Sequence, residues 1–322
     1  MKNYLIAGIA GFIGAKVGEL LLSEGHNVVG VDTLDNPYDI RLKQARLEQV
    51  KHRGLDFIQV DISDTASFVK KLTPYEHFDG IFNLATVEGN RYQEKTWEYA
   101  DLKTAGVLNL LEWGQQRGVK KYIQSSSASI YGYNPAVVPT PETASCSDLI
   151  EFDVISQKTA EGLSYSHHAK HNMDVTVFRY FDVYGPMCNP DGVIFKLCRS
   201  IYEKETIAIL GDGTQSSGYS YIDDVAWGTI QGLKLSGYEV INLGGHELVP
   251  LKKLIVLLEE GIERQAVIEQ MESDLSLTIT RFPNLQKAKQ LLDWTPKVSL
   301  IDGILNVIEW YINERHWARF LE

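Results

Sequence analysis

The chain has 322 residues, with 31 Lys and Arg against 42 Asp and Glu and a formal net charge of −11. That length buries a sizeable core in one large domain or two, and an acidic balance without a basic cluster argues against nucleic acid or an anionic membrane as partner. Three cysteines, Cys146, Cys188 and Cys198, lack a C-x-x-C spacing. They suggest neither a disulfide framework nor a metal site, so the cytoplasm is the expected compartment. Lys2 before an apolar stretch imitates a signal peptide, but no small-residue cleavage site follows. No apolar run approaches the ~20 residues needed to span a bilayer.

The first expected strand, about Tyr4–Ala7, runs into the turn Gly8-Ile9-Ala10-Gly11-Phe12-Ile13-Gly14. A helix over about Phe12–Ser23 and a second strand over Asn27–Val31, ending on Asp32, follow. Further strands read at about Asp56–Val60, Gly80–Leu84, Lys121–Gln124 and Val175–Tyr180. Helices read at about Tyr38–Val50, Thr65–Leu72, Glu94–Gln116 and Asp153–Lys170. This alternation predicts an α/β fold, a doubly wound parallel sheet of Rossmann type, with ligands at the carboxyl ends of its strands. After Gly185 the rhythm loosens into turns such as Asn189-Pro190-Asp191-Gly192 and Gly211-Asp212-Gly213. Residues 1–185 therefore read as a dinucleotide-binding domain and 186–322 as a smaller α/β lobe, with Glu239–Asn242 returning to the main sheet.

Each part of the opening turn has a physical role in holding a dinucleotide. One residue without Cβ permits the tight turn, a second lets a pyrophosphate approach, and a third lets helix and strand pack closely. The helix then turns its free N–H groups and positive dipole end towards the phosphates. Asp32, at the strand tip, accepts the ribose hydroxyls of NAD and repels the extra phosphate of NADP. Asp61, after the third strand, is placed to accept from an adenine amino group.

More strings follow: Ser125-Ser126-Ser127-Ala128-Ser129-Ile130-Tyr131-Gly132, then Lys158, then Arg179 through Pro186, then Tyr221-Ile222-Asp223-Asp224-Val225. With the glycine turn, they resemble the extended short-chain dehydrogenase/reductase family of NAD-dependent sugar-nucleotide epimerases and dehydratases. The segments Asp32–Asp39, Leu42-Lys43, Ala45-Arg46-Leu47 and Pro190–Lys196 are most similar to the UDP-glucuronate 4-epimerase branch. The resemblance implies NAD as cofactor, held by Gly8, Gly11, Phe12, Ile13, Gly14, Asp32, Asp61, Ile62, Leu84, Ala85, Lys158 and Tyr180. It also implies a UDP-sugar oxidised transiently at its ring. Ser127 matches the position that grips a sugar hydroxyl, and Lys158 the lysine that holds the nicotinamide ribose. The family's acid/base tyrosine precedes that lysine by four residues, and here Val154 stands there.

Valine neither donates, accepts nor ionises, so another group must supply the base; Glu88, Glu151 and Asp153 are the candidates. Asp153 also reads as the cap of its helix and Glu151 as a complement to the dipole. The substrate half departs too. Ser216-Ser217-Gly218 stand where the family carries an arginine pair, and Asp182 where it carries Asn or Thr. Asp182, Lys196 and Arg199 are the expected substrate contacts, with Arg91 and Arg281 as further basic candidates. His167, His168 and His171 read as a polar helix face, without the acidic ligand or fourth His of a metal site. In this family the helices matching about Thr96–Gln115 and Asp153–Lys170 form a dimer interface, so a homodimer is implied. Two roles stay open: a sugar-nucleotide epimerase or tyrosine-less dehydratase, or a catalytically silent NAD-binding homologue.

Overall fold

The computed structural model describes residues 1–35, 39–86, 96–132, 137–146, 152–272 and 280–321. Its first half comprises β1 (Asn3–Ala7), α1 (Phe12–Ser23), β2 (Asn27–Asp32), α2 (Ile40–Lys51), β3 (Asp56–Gln59), α3 (Thr65–Leu72) and β4 (Gly80–Asn83). Then come α4 (Thr96–Asp101), a π-turn (Leu102–Gly106), α5 (Val107–Gln116), β5 (Lys121–Ser127), a 3₁₀ turn (Ala128–Tyr131), α6 (Phe152–His171) and β6 (Asp174–Tyr180). The rest holds β7 (Val183–Tyr184), α7 (Val193–Glu203), β8 (Thr206–Leu210), β9 (Ser216–Ser217), β10 (Ser220–Tyr221), α8 (Ile222–Gln231) and β11 (Tyr238–Leu243). It closes with β12 (Val249–Pro250), α9 (Leu251–Ile262), β13 (Val267–Met271), β14 (Thr280–Arg281), α10 (Gln286–Leu292) and α11 (Leu300–Ala318).

Seven parallel strands form the main sheet in the order β11-β6-β5-β4-β1-β2-β3. Strands buried on both faces need apolar side chains in both directions, which is why they read as continuous apolar runs. Tyr4, Ile6, Ile123 and Phe178 pack one face against Val17 and Leu21 of α1 and Val225 of α8. Leu5, Ile81, Tyr122 and Val175 pack the other against Phe68 of α3, Leu110 of α5 and Ala160 of α6. A separate core joins α7, α9 and α11 through Phe195, Cys198, Leu254, Leu258, Val307 and Tyr311. Strand order reverses between β1 and β4, and this is where an open α/β sheet leaves its crevice.

Local chemistry sets several boundaries. Asp39 accepts from the Arg41 amide at 2.8 Å and so starts α2 at Ile40. Asp64 and Ser299 cap α3 and α11 in the same way. β5 runs to Ser127, beyond the expected Gln124, because Ser125, Ser126 and Ser127 pair with Phe178, Arg179 and Tyr180 of its neighbour. Pairing between two central strands overrides the modest strand preference of serine. The helix expected over 94–116 is interrupted by the π-turn, where the Lys103 ammonium donates to the Ala85 carbonyl at 3.0 Å. Such turns are often found at functional sites. Among the described residues no helix is long and apolar enough to cross a membrane.

Candidate active site

The crevice begins at the β1 tip. Gly8 holds φ +83°, and a Cβ there would lie 2.7 Å from the Leu84 carbonyl and the Ala85 amide. The β1 and β4 tips therefore approach as closely as backbone allows. A Cβ on Gly14 would lie 2.0 Å from the Gly8 oxygen, so helix α1 can leave the turn this tightly only because that position is glycine. Gly11 is the N-cap of α1 and offers no side-chain cap, leaving the helix amino end to an external acceptor. Phe12 is buried and Ile13 half-buried.

At the β2 tip, Asp32 is buried and accepts from the Ala10 amide at 3.1 Å and the Leu34 amide at 2.9 Å. The turn and its acid are thus one hydrogen-bonded unit. Lys43 of α2 closes on the same carboxylate at 2.9 Å, a partner eleven residues away that sequence reading left without a role. Arg46, one turn further, donates to the Met187 carbonyl at 2.6 Å and 3.0 Å, tying the glycine-turn side of the crevice to the segment after β7. Asp61 is exposed and accepts from the Ser63 amide and hydroxyl at 2.7 Å each, while Ile62 is buried behind Gly106. Leu84 is buried and Ala85 half-buried at the β4 end. Tyr180 is buried at the end of β6. Its hydroxyl meets Thr229 of α8 at 3.0 Å inside the core, and burial raises its pKa.

The β5 tip and α6 form the second wall. Ser127 accepts from the Ser129 amide at 3.1 Å. Ser126 donates to Glu161 of α6 at 2.7 Å, and Glu161 also takes Lys158 at 3.0 Å. Arg179 of β6 pairs with Glu161 and donates to the Tyr131 hydroxyl at 2.8 Å, which in turn donates to Asn242 at 2.8 Å. Burial pushes the Tyr131 hydroxyl up to about 12 despite the nearby Arg179. So placed, Tyr131 is a fixed link rather than a mobile acid. Val154 is buried with Ala128, Ile130, Tyr131 and Phe181, one turn before Lys158. Asp153 is half-buried in the first described turn of α6, where an acidic group complements the helix dipole. Gln157, which sequence reading passed over, is buried with its Oε1 lacking a hydrogen-bond partner. Glu88, Glu151 and Arg91 lie outside the described residues.

Between β6 and β7, Asp182 adopts φ +25° and accepts from the Ser217 hydroxyl. Pairing of β14 with β9 sets Arg281 beside Ser217. Lys196 is held by Asp191 at 2.8 Å, and Arg199 by the Leu321 carbonyl at 2.6 Å and Glu205 at 3.4 Å. Among the described residues no cluster of His, Cys, Asp and Glu could hold a metal ion.

Residues 4–244 match the model of the NAD dependent epimerase/dehydratase family. The chain belongs to that family. UDP-glucuronate 4-epimerase of Thermodesulfobacterium geofontis is 39% identical over 314 residues, covering 96% of each chain. Among solved structures, UDP-glucose 4-epimerase of Thermotoga maritima with UDP-glucose superposes with a TM-score of 0.87 at 28% identity, over 97% of this chain and 99% of that one. UDP-glucuronic acid 4-epimerase of Bacillus cereus, in complex with UDP-glucuronic acid and NAD, gives 0.84 at 28% identity over the same shares. NAD is the cofactor of this epimerase/dehydratase family, and the crevice fits it. The helix amino end carries no side-chain cap and could take a diphosphate, and Asp32 stands at the strand tip, where it could take a ribose diol.

Proposed function

We propose that the protein binds NAD between the β1 and β4 tips and epimerises a UDP-sugar, with UDP-glucuronate the first substrate to try. The observation that carries this reading is the Gly8–Gly14 turn closed on Leu84 and Ala85 and hydrogen-bonded to Asp32. The extended similarity to UDP-glucuronate 4-epimerase supports the substrate class. Gly8, Gly11 and Gly14 would admit the diphosphate, and Asp32, with Lys43 beside it, would hold the adenosine ribose. When bound, NAD supplies a reversible acceptor for the hydride of a sugar C–H.

Ser127 would orient the reacting hydroxyl at the β5 tip. The proton of that hydroxyl needs an acceptor, and α6 carries no tyrosine before Tyr165. Tyr131 is committed to Asn242 and Arg179. Asp153 is the described carboxylate at the head of α6, and we assign it that role. Arg281, beside Ser217, is the basic group we assign to the substrate's diphosphate. Trp97 of α4 and Phe152, Ile155 and Tyr165 of α6 are exposed on neighbouring helices, which supports a homodimer through that face.

The test is incubation of purified protein with UDP-glucuronate, UDP-galacturonate and UDP-glucose, followed by chromatography of the products. Conversion is expected, and Asp153→Asn should abolish it while NAD is still bound. A protein that holds NAD and converts none of these sugars would instead be the silent homologue.

A further inference from the structure

We infer that Gln157, rather than Lys158, is the side chain of α6 that grips the nicotinamide ribose of NAD. The inference rests on the proposed NAD binding. Helix α6 is anchored at Glu161, whose carboxylate takes Ser126 at 2.7 Å and Arg179 at 2.8 and 2.9 Å. It connects two parallel strands, so it must run back against their direction, from the strand tips towards their starts. Gln157 precedes Glu161 by one turn, which places it about 6 Å further towards the tips, beyond Ser126 and level with the Ser127 end of β5. In an open α/β sheet that is the ligand side.

Asp153, Gln157 and Glu161 recur every four residues and share one helix stripe. Gln157 is 7% exposed, and its Oε1 has no hydrogen-bond partner. Buried carbonyl oxygens are nearly always paired, so an unpaired one beside a cofactor crevice points to a ligand donor. A carboxamide both donates and accepts, which matches the two hydroxyls of a ribose diol and matches neither a bare anion nor a bare cation. Lys158 lies about 100° round the helix. Its side chain is 42% exposed and its ammonium sits 3.0 Å from Glu161, on the solvent side of the anchor.

The resemblance to the family calls for an acid/base group and a ribose-binding group four residues apart. Asp153 and Gln157 have that spacing, as do Val154 and Lys158. Only the first pair carries chemistry at both positions. The pairing is also consistent in charge. A phenol, with a pKa near 10, needs a neighbouring ammonium to ionise at neutral pH, whereas a carboxylate near 3.9 does not. A neutral amide is then sufficient beside Asp153.

The test compares NAD with ADP, which lacks the nicotinamide ribose, in titrations of the whole protein by calorimetry. Gln157→Met should weaken NAD about tenfold or more and ADP by less than about twofold, as expected for hydrogen bonds lost only at that ribose. Gln157→Asn withdraws the amide by one methylene and serves where the methionine variant does not fold; the same selective loss is expected. Lys158→Ala should change neither ligand by more than about twofold. Selective loss of NAD in Lys158→Ala, or equal weakening of NAD and ADP in both Gln157 variants, overturns the assignment while NAD binding stands. Wild-type protein that binds neither ligand removes the proposed function itself, and this assignment with it.

Discussion

Arg179 lays its guanidinium along Glu161 in a two-pronged pair, Nε to Oε1 at 2.9 Å and Nη2 to Oε2 at 2.8 Å, with both residues buried. The pair joins β6 to α6 beneath the proposed reaction site, and its remaining valences reach Ser126, Tyr131 and the Glu142 carbonyl. Because Ser126 adjoins Ser127 and Glu161 follows Gln157 by one turn, one ion pair sets the position of both parts of the second wall, the β5 tip and α6. Arg179→Met leaves a buried carboxylate without its main partner and is expected to cost about 3–5 kcal/mol. Urea unfolding followed by circular dichroism reads that loss. A drop below about 1 kcal/mol would mean the pair does not hold that wall.

The same carboxylate predicts a pH dependence. Burial alone would raise the Glu161 pKa, but hydrogen bonding and charge from Arg179, aided by Ser126 and Lys158, bring it below its ordinary 4.5. A group lowered in the folded state contributes stability that is complete above its unfolded pKa and is lost as pH falls through the folded one. The urea midpoint should therefore fall as pH is taken from about 5 downwards, and Glu161→Gln should flatten that fall in part. Identical acid profiles for the two proteins would contradict the assignment.

Gly14→Ala tests the crevice without touching a polar group. Its new Cβ would lie 2.0 Å from the Gly8 oxygen and 2.9 Å from the Gly8 carbon, both backbone atoms that cannot swing aside. The turn must open, at about 1–3 kcal/mol in stability. NAD affinity should fall by at least about tenfold, measured by calorimetry on folded protein, because the displaced amides no longer converge on a diphosphate. An alanine variant that keeps wild-type affinity would mean the diphosphate sits elsewhere.

What the sequence disclosed about this molecule follows from how local each determinant is. Helix α1 and helix α3 begin and end where the pattern predicts, since glycine turn, cap and apolar spacing all lie within the segment. Asp32 is legible for the same reason, being the last residue of a strand that follows a glycine turn. The π-turn is not, because Lys103 leaves the regular helix to reach Ala85, eighteen residues away. Nor could spacing alone choose between Val154 with Lys158 and Asp153 with Gln157. Rotation of α6 is set by Glu161 against Ser126 and Arg179, which come from two other strands. Polar residues at 153, 157 and 161 were the available signal, visible only as a stripe once the helix is drawn.

Asp32 and Lys43 carry the last prediction, on cofactor choice. The carboxylate holds Lys43 at 2.9 Å and accepts from two backbone amides, so it is fixed and negative where the adenosine ribose would lie. A 2′-phosphate there meets like charge, and NAD should be preferred over NADP. Asp32→Ala removes the repulsion and releases an ammonium already in place. NAD affinity should fall about tenfold or more with the lost hydrogen bonds, while NADP affinity should rise. Lys43→Met in the alanine background should then reverse the gain for NADP and leave NAD unchanged, which calorimetric titration of both cofactors would measure. If Asp32→Ala weakened both cofactors equally, the acid would be holding the turn together through Ala10 rather than reading the ribose.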